Sequence, residues 1–245
     1  MLLEQTLTKM HSMRLATMAE SLEQRLQRGD QNDLSTEEFV GLLIDDEHSA
    51  RKNRKLSRII GKANFKPEQA CIENIKYNPK RGFQKKDVMQ FTTTTWLDNA
   101  QDVILIGATG TGKTFLAEAI GLQACKMGYP AKKIRYKRLF EEIKAQKGTG
   151  LYLKYLEKLN KLKVLIIDDF LMDTITEQDL GDLMEILEER TRQMPTIVTT
   201  QYPIIKWHSL LPNPTIADAI CDRLTHGSII INLKGESMRK NTQKT

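Results

Sequence analysis

Apolar residues in the first part of the chain recur at helical spacing. Between residues 2 and 28 most of them fall three or four positions apart, which predicts one amphipathic helix that ends at Gly29. Ser35 is followed three positions later by Glu38, and this pair has the form of a capping box at the start of a second helix. We therefore expect a small all-helical N-terminal domain over residues 1–66.

The hydrophobic pattern changes near residue 101. From there, short segments with strand patterns alternate with helical patterns. Strands are predicted at 102–107, 132–136, 163–168, 195–200 and 228–233. This alternation predicts an α/β domain over residues 101–245, with a parallel sheet flanked by helices. Residues 67–100 are interrupted by proline and glycine, and we predict a basic linker there.

The loop after the first predicted strand has a pattern typical of phosphate binding. Residues 107–114 read Gly-Ala-Thr-Gly-Thr-Gly-Lys-Thr and directly follow the apolar run 103–106. Glycines allow backbone N–H groups to surround a phosphate, and the next helix directs its positive N-terminal end at it. We expect Lys113 to contact the β- and γ-phosphates of ATP, and Thr114 to bind Mg²⁺. The expected nucleotide contacts are Gly107, Ala108, Thr109, Gly110, Thr111, Gly112, Lys113, Thr114 and Phe115.

Two carboxylates end a later apolar strand. Asp168 and Asp169 follow the run 164–167, and the expected roles are Mg²⁺ binding for Asp168 and polarisation of the attacking water for Asp169. Paired aspartates after a strand also serve as a helix cap or turn, but the phosphate-binding pattern favours the catalytic interpretation. At the end of the next strand, Thr200 and Gln201 are both candidates to orient water or sense the γ-phosphate; ordinary turn chemistry is the alternative.

The positive charge of the chain is concentrated in one segment. The formal net charge is +6, yet residues 51–86 hold twelve basic and two acidic side chains, a local excess of +10. This excess predicts a polyanionic partner and favours a nucleic acid. The sequence shows no helix-turn-helix or zinc-finger pattern that would read bases, so we expect contacts to phosphates. A solvated charged face is the alternative for both candidate runs. These runs are Arg51, Lys55, Arg58 and Lys62, and Lys132, Lys133, Arg135, Lys137 and Arg138.

Cysteine usage and targeting signals change the picture little. The three cysteines are scattered, which predicts free thiols rather than a disulfide framework or a zinc site. The sequence shows neither a secretory signal nor an apolar run of membrane-spanning length, and we expect a cytoplasmic protein.

The order of these motifs resembles that of AAA+ ATPases of the DnaC/IstB branch. It is most similar to IstB-type helper ATPases of bacterial insertion sequences, and the resemblance covers nearly the whole chain. The residues that carry it are 34–39 with Glu47 and Arg51, then 107–114, 166–169, 199–201, 222–224 and 235–239. By this resemblance Lys113 and Thr114 form the Walker A pair, Asp168 and Asp169 form Walker B, and Gln201 is sensor 1. Arg223 corresponds to the arginine finger and Arg239 to sensor 2.

The resemblance also implies partners and a mode of action. An arginine finger supplied in trans implies a homo-oligomer with ATP at subunit interfaces. It would assemble on duplex DNA with little sequence preference and would recruit or activate a separate cognate transposase. Most AAA+ proteins have glutamate where this chain has Asp169, and the shorter side chain leads us to expect slow, DNA-stimulated hydrolysis. A helicase loader similar to DnaC is the main alternative, and a small-molecule or nucleoside kinase is a third.

Overall fold

The computed structural model describes residues 2–65 and 70–238 of the chain. The chain divides into two compact units, Met1–Arg58 and Ile59–Thr245. The domain boundaries expected at residues 66 and 100 stay predictions. Among the described residues, no helix combines the length and the apolar composition that a membrane span requires.

The first unit is helical, as predicted. It contains α1 (Leu2–Ser12), α2 (Ala16–Arg28) and most of α3 (Thr36–Lys62). The capping box predicted for α3 is present, because the Ser35 backbone N–H donates to Glu38 Oε2 (2.9 Å) and the Glu38 N–H donates to Ser35 Oγ (3.3 Å).

The single helix predicted over residues 2–28 was wrong. It is interrupted at Arg14, whose φ of +60° is left-handed, and α2 begins at Ala16. The turn is closed by the Leu15 N–H, which donates to the carbonyl of Met10 (2.9 Å), and by the Arg14 N–H, which donates to the carbonyl of His11 (2.9 Å). Glycine usually supplies the left-handed residue that ends a helix, so an arginine there gives no sequence signal.

The second unit is built on a five-stranded parallel sheet. Its strands are β1 (Val103–Gly107), β2 (Ala131–Arg135), β3 (Val164–Phe170), β4 (Thr196–Thr200) and β5 (Ile229–Leu233). Their order is β2-β3-β4-β1-β5, and every pairing is parallel. The predicted fold class is confirmed, and each predicted strand lies within two residues of an observed one. β4 lies between β1 and β3, so the carboxyl ends of these three strands adjoin.

Helices cover both faces of the sheet. After α3, the α-helices among the described residues are α4 (Lys85–Met89), α5 (Thr95–Asp98), α6 (Lys113–Lys126), α7 (Tyr136–Gly148), α8 (Tyr152–Asn160), α9 (Glu177–Arg190), α10 (Trp207–Leu210) and α11 (Pro214–Thr225). Alternate residues of β3 point to opposite faces. Leu165 and Ile167 join the core formed with α7, α8, α9 and α11, whereas Ile166 approaches Gly121 of α6. The phosphate loop connects β1 to the start of α6, so the packing of α6 against the sheet fixes the position of this loop.

Candidate nucleotide-binding site

The phosphate-loop sequence forms a tight turn between β1 and α6. Gly110 and Gly112 have φ values of +85° and +94°, a conformation that L side chains rarely adopt. The Thr111 hydroxyl donates to the carbonyl of Ala108 (2.8 Å). The Lys113 ammonium, on a residue only 6% exposed, donates to the same carbonyl (3.1 Å). The loop therefore holds a cation at its centre and presents the N-terminus of α6 beside it, an arrangement suited to phosphate.

The two residues predicted to bind Mg²⁺ are in contact. The Thr114 hydroxyl donates to Asp168 Oδ1 (2.9 Å), although the two residues are 54 positions apart. Asp168 is only 2% exposed. When a threonine hydroxyl donates its proton to a carboxylate, its lone pairs stay available to a cation. A hydroxyl and an adjacent carboxylate are the hard oxygen ligands that Mg²⁺ prefers.

A further contact to this carboxylate comes from β4. The Thr199 hydroxyl donates to Asp168 Oδ1 (2.6 Å) and accepts from the backbone N–H of Asp169 (3.0 Å). From the sequence we named Thr200 and Gln201 at this strand end and missed Thr199. The signal that could have found it was a hydroxyl in the middle strand of a buried parallel sheet, where apolar residues are usual.

Asp169 lies in an irregular stretch of β3. The register between β3 and β4 shifts between Ile167 and Phe170, and Asp169 has a left-handed φ of +59°. Its carboxylate lies 3.9 Å from Nε of Arg135. Burial raises the pKa of the Asp169 carboxyl, and the neighbouring negative charge of Asp168 raises it further, while Arg135 opposes both effects. The group is therefore a better proton acceptor than an ordinary surface aspartate.

The phosphate loop and the aspartates of β3 line a common cavity of about 360 Å³. Asp168, Asp169 and Gln201 lie on its wall. Six of the predicted nucleotide contacts also line this cavity: Thr109, Gly110, Gly112, Lys113, Thr114 and Phe115. Thr200 is fully buried instead, and its hydroxyl donates to the carbonyl of Phe170 (3.0 Å). Of the two candidates at the end of β4, only Gln201 lies at the cavity.

The residues at this cavity fit a magnesium–nucleotide complex. No cluster of three or more histidine, cysteine, aspartate or glutamate side chains suited to a metal occurs in residues 2–65 and 70–238. A cation held here by Thr114 and Asp168 would need further oxygen ligands from outside the protein. Mg²⁺ characteristically binds in this way, through one or two protein oxygens together with waters and phosphates.

The structure also brings Arg81 to the phosphate loop. Its guanidinium donates to the carbonyls of Thr111 (2.9 Å) and Lys76 (2.7 Å). After β5, the Met238 N–H donates to the carbonyl of Gly110 (2.9 Å). The sequence analysis treated Arg81 only as one positive charge of the basic segment. Its contact with a loop thirty residues away could not be predicted, because no neighbouring residue in the sequence indicates it. Two distant segments therefore support the loop from outside.

The predicted DNA-contacting residues differ in their surroundings. Arg51 is held by the buried Glu47 through Nε (2.7 Å), and it also donates to the carbonyl of Arg14 (2.8 Å). Four of the second run, Lys132, Lys133, Arg135 and Arg138, form ion pairs with Glu142, Glu118, Asp169 and Glu141, respectively. Within the described part of the chain, Lys137, Lys55, Arg58 and Lys62 form no ion pair, and all four are exposed.

The two arginines predicted near the end of the chain have different outcomes. Arg223 lies on α11, where its guanidinium donates to Glu188 Oε1 (3.2 Å) and to the carbonyl of Ala219 (3.2 Å). Its side chain is 26% exposed. Arg239 lies outside the described residues. The roles assigned to both stay predictions.

Solved structures share this fold. The crystal structure of the DnaC helicase loader has a TM-score of 0.58 and 19% sequence identity, covering 67% of this chain and 97% of that one. The replication initiator DnaA bound to AMPPCP and single-stranded DNA has a TM-score of 0.60 and 16% identity, covering 74% of this chain and 56% of that one. At these identities the likenesses show a shared fold.

Sequence comparisons are more specific. "Putative insertion sequence ATP-binding protein y4pL" of Sinorhizobium fredii (strain NBRC 101917 / NGR234) is 36% identical over 244 residues, covering 100% of this chain and 99% of that protein. "Insertion sequence IS1162 putative ATP-binding protein" of Pseudomonas fluorescens is 34% identical over 203 residues, covering 83% and 88% of the two chains. A family model described as IstB-like ATP binding protein matches residues 8–245. The chain thus belongs to the IstB-like ATP-binding protein family.

Proposed function

We propose that this chain is an ATP-dependent regulator of DNA transposition. In this proposal it oligomerises on duplex target DNA and recruits or activates a separate transposase. The observation that carries the proposal is the contact between Thr114 and Asp168 beside Lys113, in a family whose relatives bear insertion-sequence names. That contact supports use of Mg²⁺ and ATP, and the relatives support transposition as the process.

The ATPase step assigns one task to each side chain of the cavity. Lys113 binds the β- and γ-phosphates, and Thr114 and Asp168 hold Mg²⁺, which neutralises phosphate charge when bound. Asp169 polarises the attacking water, supported by its raised pKa, and Gln201 orients that water. Because aspartate is one methylene shorter than the glutamate usual in AAA+ proteins, we propose slow hydrolysis.

DNA contact is proposed mainly for α3. Lys55, Arg58 and Lys62 are spaced three and four residues apart, so they share a helical face, and they are exposed without ion pairs in the described part of the chain. Lys137 has the same property on α7. Contacts to phosphates give affinity with little sequence preference. The other predicted contacts form ion pairs and would have to exchange an acidic partner for DNA. They are Arg51, Lys132, Lys133, Arg135 and Arg138.

Oligomerisation is proposed through Arg223. An arginine supplied by a neighbouring subunit stabilises negative charge on the transferring phosphoryl group. In the isolated chain Glu188 holds this guanidinium. Assembly on DNA would bring Arg223 to the ATP of the adjacent subunit, so DNA would stimulate hydrolysis.

The first test measures duplex DNA binding and particle mass with no nucleotide, with ADP and with ATP. Wild-type protein is expected to form large assemblies on DNA only with ATP, and Lys113→Ala is expected to lose them. The matched control is Lys161→Ala, which removes an exposed lysine elsewhere and should behave as wild type. A monomer indifferent to both DNA and ATP would contradict the proposal. Capture of a replicative helicase instead of a transposase would favour the loader alternative.

A second test addresses the α3 face. The triple variant Lys55→Ala, Arg58→Ala, Lys62→Ala should weaken DNA binding and reduce the slope of log affinity against log salt by about 2–3. The triple variant Lys154→Ala, Lys158→Ala, Lys161→Ala removes the same charge from an exposed face of the second unit and serves as control. Equal losses in both variants would indicate a general charge effect and contradict contact through α3.

A further inference from the structure

Thr199 uses its hydroxyl twice. The side chain is fully buried on β4, so it lies behind the cavity rather than on its wall. Its hydroxyl donates to Asp168 Oδ1 (2.6 Å) and accepts from the backbone N–H of Asp169 (3.0 Å). The Thr199 hydroxyl therefore contacts both aspartates of the site. It contacts the side chain of Asp168 and the backbone of Asp169.

These contacts compensate for a break in the sheet. The register of β3 against β4 shifts between Ile167 and Phe170, which removes Asp169 from the regular ladder. A partly buried backbone N–H outside the ladder needs another partner, and the Thr199 hydroxyl accepts from it. Beyond the shift the ladder resumes with Phe170 opposite Thr200, whose hydroxyl donates to the Phe170 carbonyl (3.0 Å).

We propose that Thr199 is the positioning residue of the Mg²⁺–ATP site. It fixes the Asp168 carboxylate against Thr114, and it holds the backbone of Asp169 in the left-handed conformation from which that side chain reaches the cavity. Thr199 acts only through these two aspartates and does not contact the nucleotide. The inference rests on the proposed function, since it assumes that this cavity binds Mg²⁺ and ATP.

The chemistry of the position requires a hydroxyl. A hydroxyl donates and accepts at once, which neither valine nor alanine does. Thr199→Val keeps the shape of the side chain but leaves Asp168 with one hydrogen bond fewer and the Asp169 N–H unpaired. Thr199→Ser keeps both hydrogen bonds. Loss of a side chain that orients a metal ligand typically lowers metal affinity or activity about 10–100-fold.

The same strand provides a matched control. Thr196 begins β4, is also buried, and accepts a hydrogen bond from Nε of Arg190 (3.2 Å) at the opposite end of the sheet. Thr196→Val therefore removes a buried hydroxyl, with a similar expected loss of stability, far from the cavity in strand register. It separates an effect on the site from an effect on folding.

The experiment measures ATP affinity in EDTA, the Mg²⁺ concentration that gives half-maximal ATPase, kcat and the thermal midpoint. For Thr199→Val we expect the half-maximal Mg²⁺ concentration to rise at least about tenfold and kcat to fall about 10–100-fold, with ATP affinity in EDTA changed less than about twofold. Thr199→Ser should restore both parameters to within about threefold of wild type. Thr196→Val should lower the thermal midpoint without changing the Mg²⁺ dependence. Thr199→Ala is a second variant in case Thr199→Val does not fold.

Two results would overturn the inference. One is a folded Thr199→Val or Thr199→Ala with wild-type Mg²⁺ dependence and kcat, and the other is a Thr196→Val whose Mg²⁺ dependence shifts equally. The wild-type protein separates this inference from the proposed function. If wild type shows no Mg²⁺-dependent ATPase, the proposed function fails; if it does and the Thr199 variants match it, only the positioning role fails.

Discussion

The two ends of the same three strands use buried polar groups in opposite ways. At the amino ends of β1, β3 and β4, Arg190 is only 1% exposed, and its guanidinium is surrounded by protein acceptors. It donates to the carbonyls of Leu159, Leu162, Lys163 and Pro195 and to the hydroxyl of Thr196, at 2.9–3.3 Å. At the carboxyl ends, Lys113 and Asp168 are nearly as buried but lie on the wall of a cavity.

This contrast separates polar groups that stabilise from those that bind. A buried charge whose hydrogen bonds are all made to protein contributes to one folded arrangement and offers nothing to a ligand. A buried charge at a cavity is held at a cost to the fold, and it lies where a ligand can contact it. Substitutions at the amino ends should therefore reduce stability, and substitutions at the carboxyl ends should reduce nucleotide chemistry.

The largest expected effect comes from Arg190→Leu. It removes the donor of five hydrogen bonds to buried or part-buried oxygens and leaves a cavity lined by polar groups, so the free energy of unfolding should fall by about 3–5 kcal/mol. Urea denaturation measures this change. Lys158→Leu, which replaces an exposed cation on α8, is the control and should change stability by no more than about 0.5 kcal/mol.

Arg190→Leu also tests whether the two ends are separable. Where the variant is folded, its ATP affinity should equal that of wild type. A folded Arg190→Leu protein that does not bind ATP would show that the structure of the cavity depends on the amino ends of the strands. The two ends would then not be separable.

Asp102→Asn is expected to have the next largest effect, and it depends on pH. Asp102 Oδ1 accepts from the Thr196 N–H (2.6 Å), and burial raises the pKa of this carboxyl to about 7. Because the native protein then holds the proton more tightly than the unfolded chain, stability falls as pH rises from about 4 to about 7 and levels off above. Asparagine keeps the hydrogen-bond acceptor but does not titrate. The variant should therefore lack this pH-dependent decrease in stability, which is on the order of a few kcal/mol.

Urea midpoints of both proteins at about pH 5, 6, 7 and 8 measure the difference. Other carboxyls, such as Glu47, have a lowered pKa and favour folding as pH rises, but they are common to both proteins and cancel in the difference. The difference should grow from about pH 5 to about pH 7 and then stay constant. Parallel curves would mean that Asp102 is already ionised in the native protein at the lowest pH of the series.

The cavity was largely predictable from the sequence because its main parts are local. The phosphate loop is eight consecutive residues, and Asp168 ends an apolar strand that is recognisable by itself. The contact between Thr114 and Asp168 followed from the expectation that parallel strands end at one edge. β1 and the first part of β3 were predictable for the same reason, since each is a continuous apolar run, as is usual for a buried parallel strand.

What could not be predicted depends on which segments become neighbours. Thr199 contacts the two aspartates only because β4 lies beside β3, and Arg190 donates to carbonyls on separate segments. Arg81 reaches a loop thirty residues away. The basic run on β2 was counted by charge, but Glu118, which pairs with Lys133, lies on another element. Local composition carries none of these relationships.

The smallest expected effect sharpens the comparison at the backbone. Asp169 adopts a left-handed φ of +59°, which costs an L residue about 1–2 kcal/mol and costs glycine almost nothing. Part of this gain is lost because glycine is more flexible in the unfolded chain. Asp169→Gly should therefore be more stable than Asp169→Ala by about 0.5–1 kcal/mol. Both variants lack the carboxylate, so both should bind ATP without hydrolysing it.

A matched pair at Glu157, an exposed position in the interior of α8, should show the opposite order, since glycine in a helix interior is less stable than alanine by about 1 kcal/mol. Differential scanning calorimetry of the four variants measures both orders. If Asp169→Gly is not more stable than Asp169→Ala, the backbone at the cavity carries no strain, and the two ends of the strands differ only in where their polar side chains point. If it is more stable while hydrolysis is lost, the cavity end keeps a strained backbone because the Asp169 carboxylate is needed there.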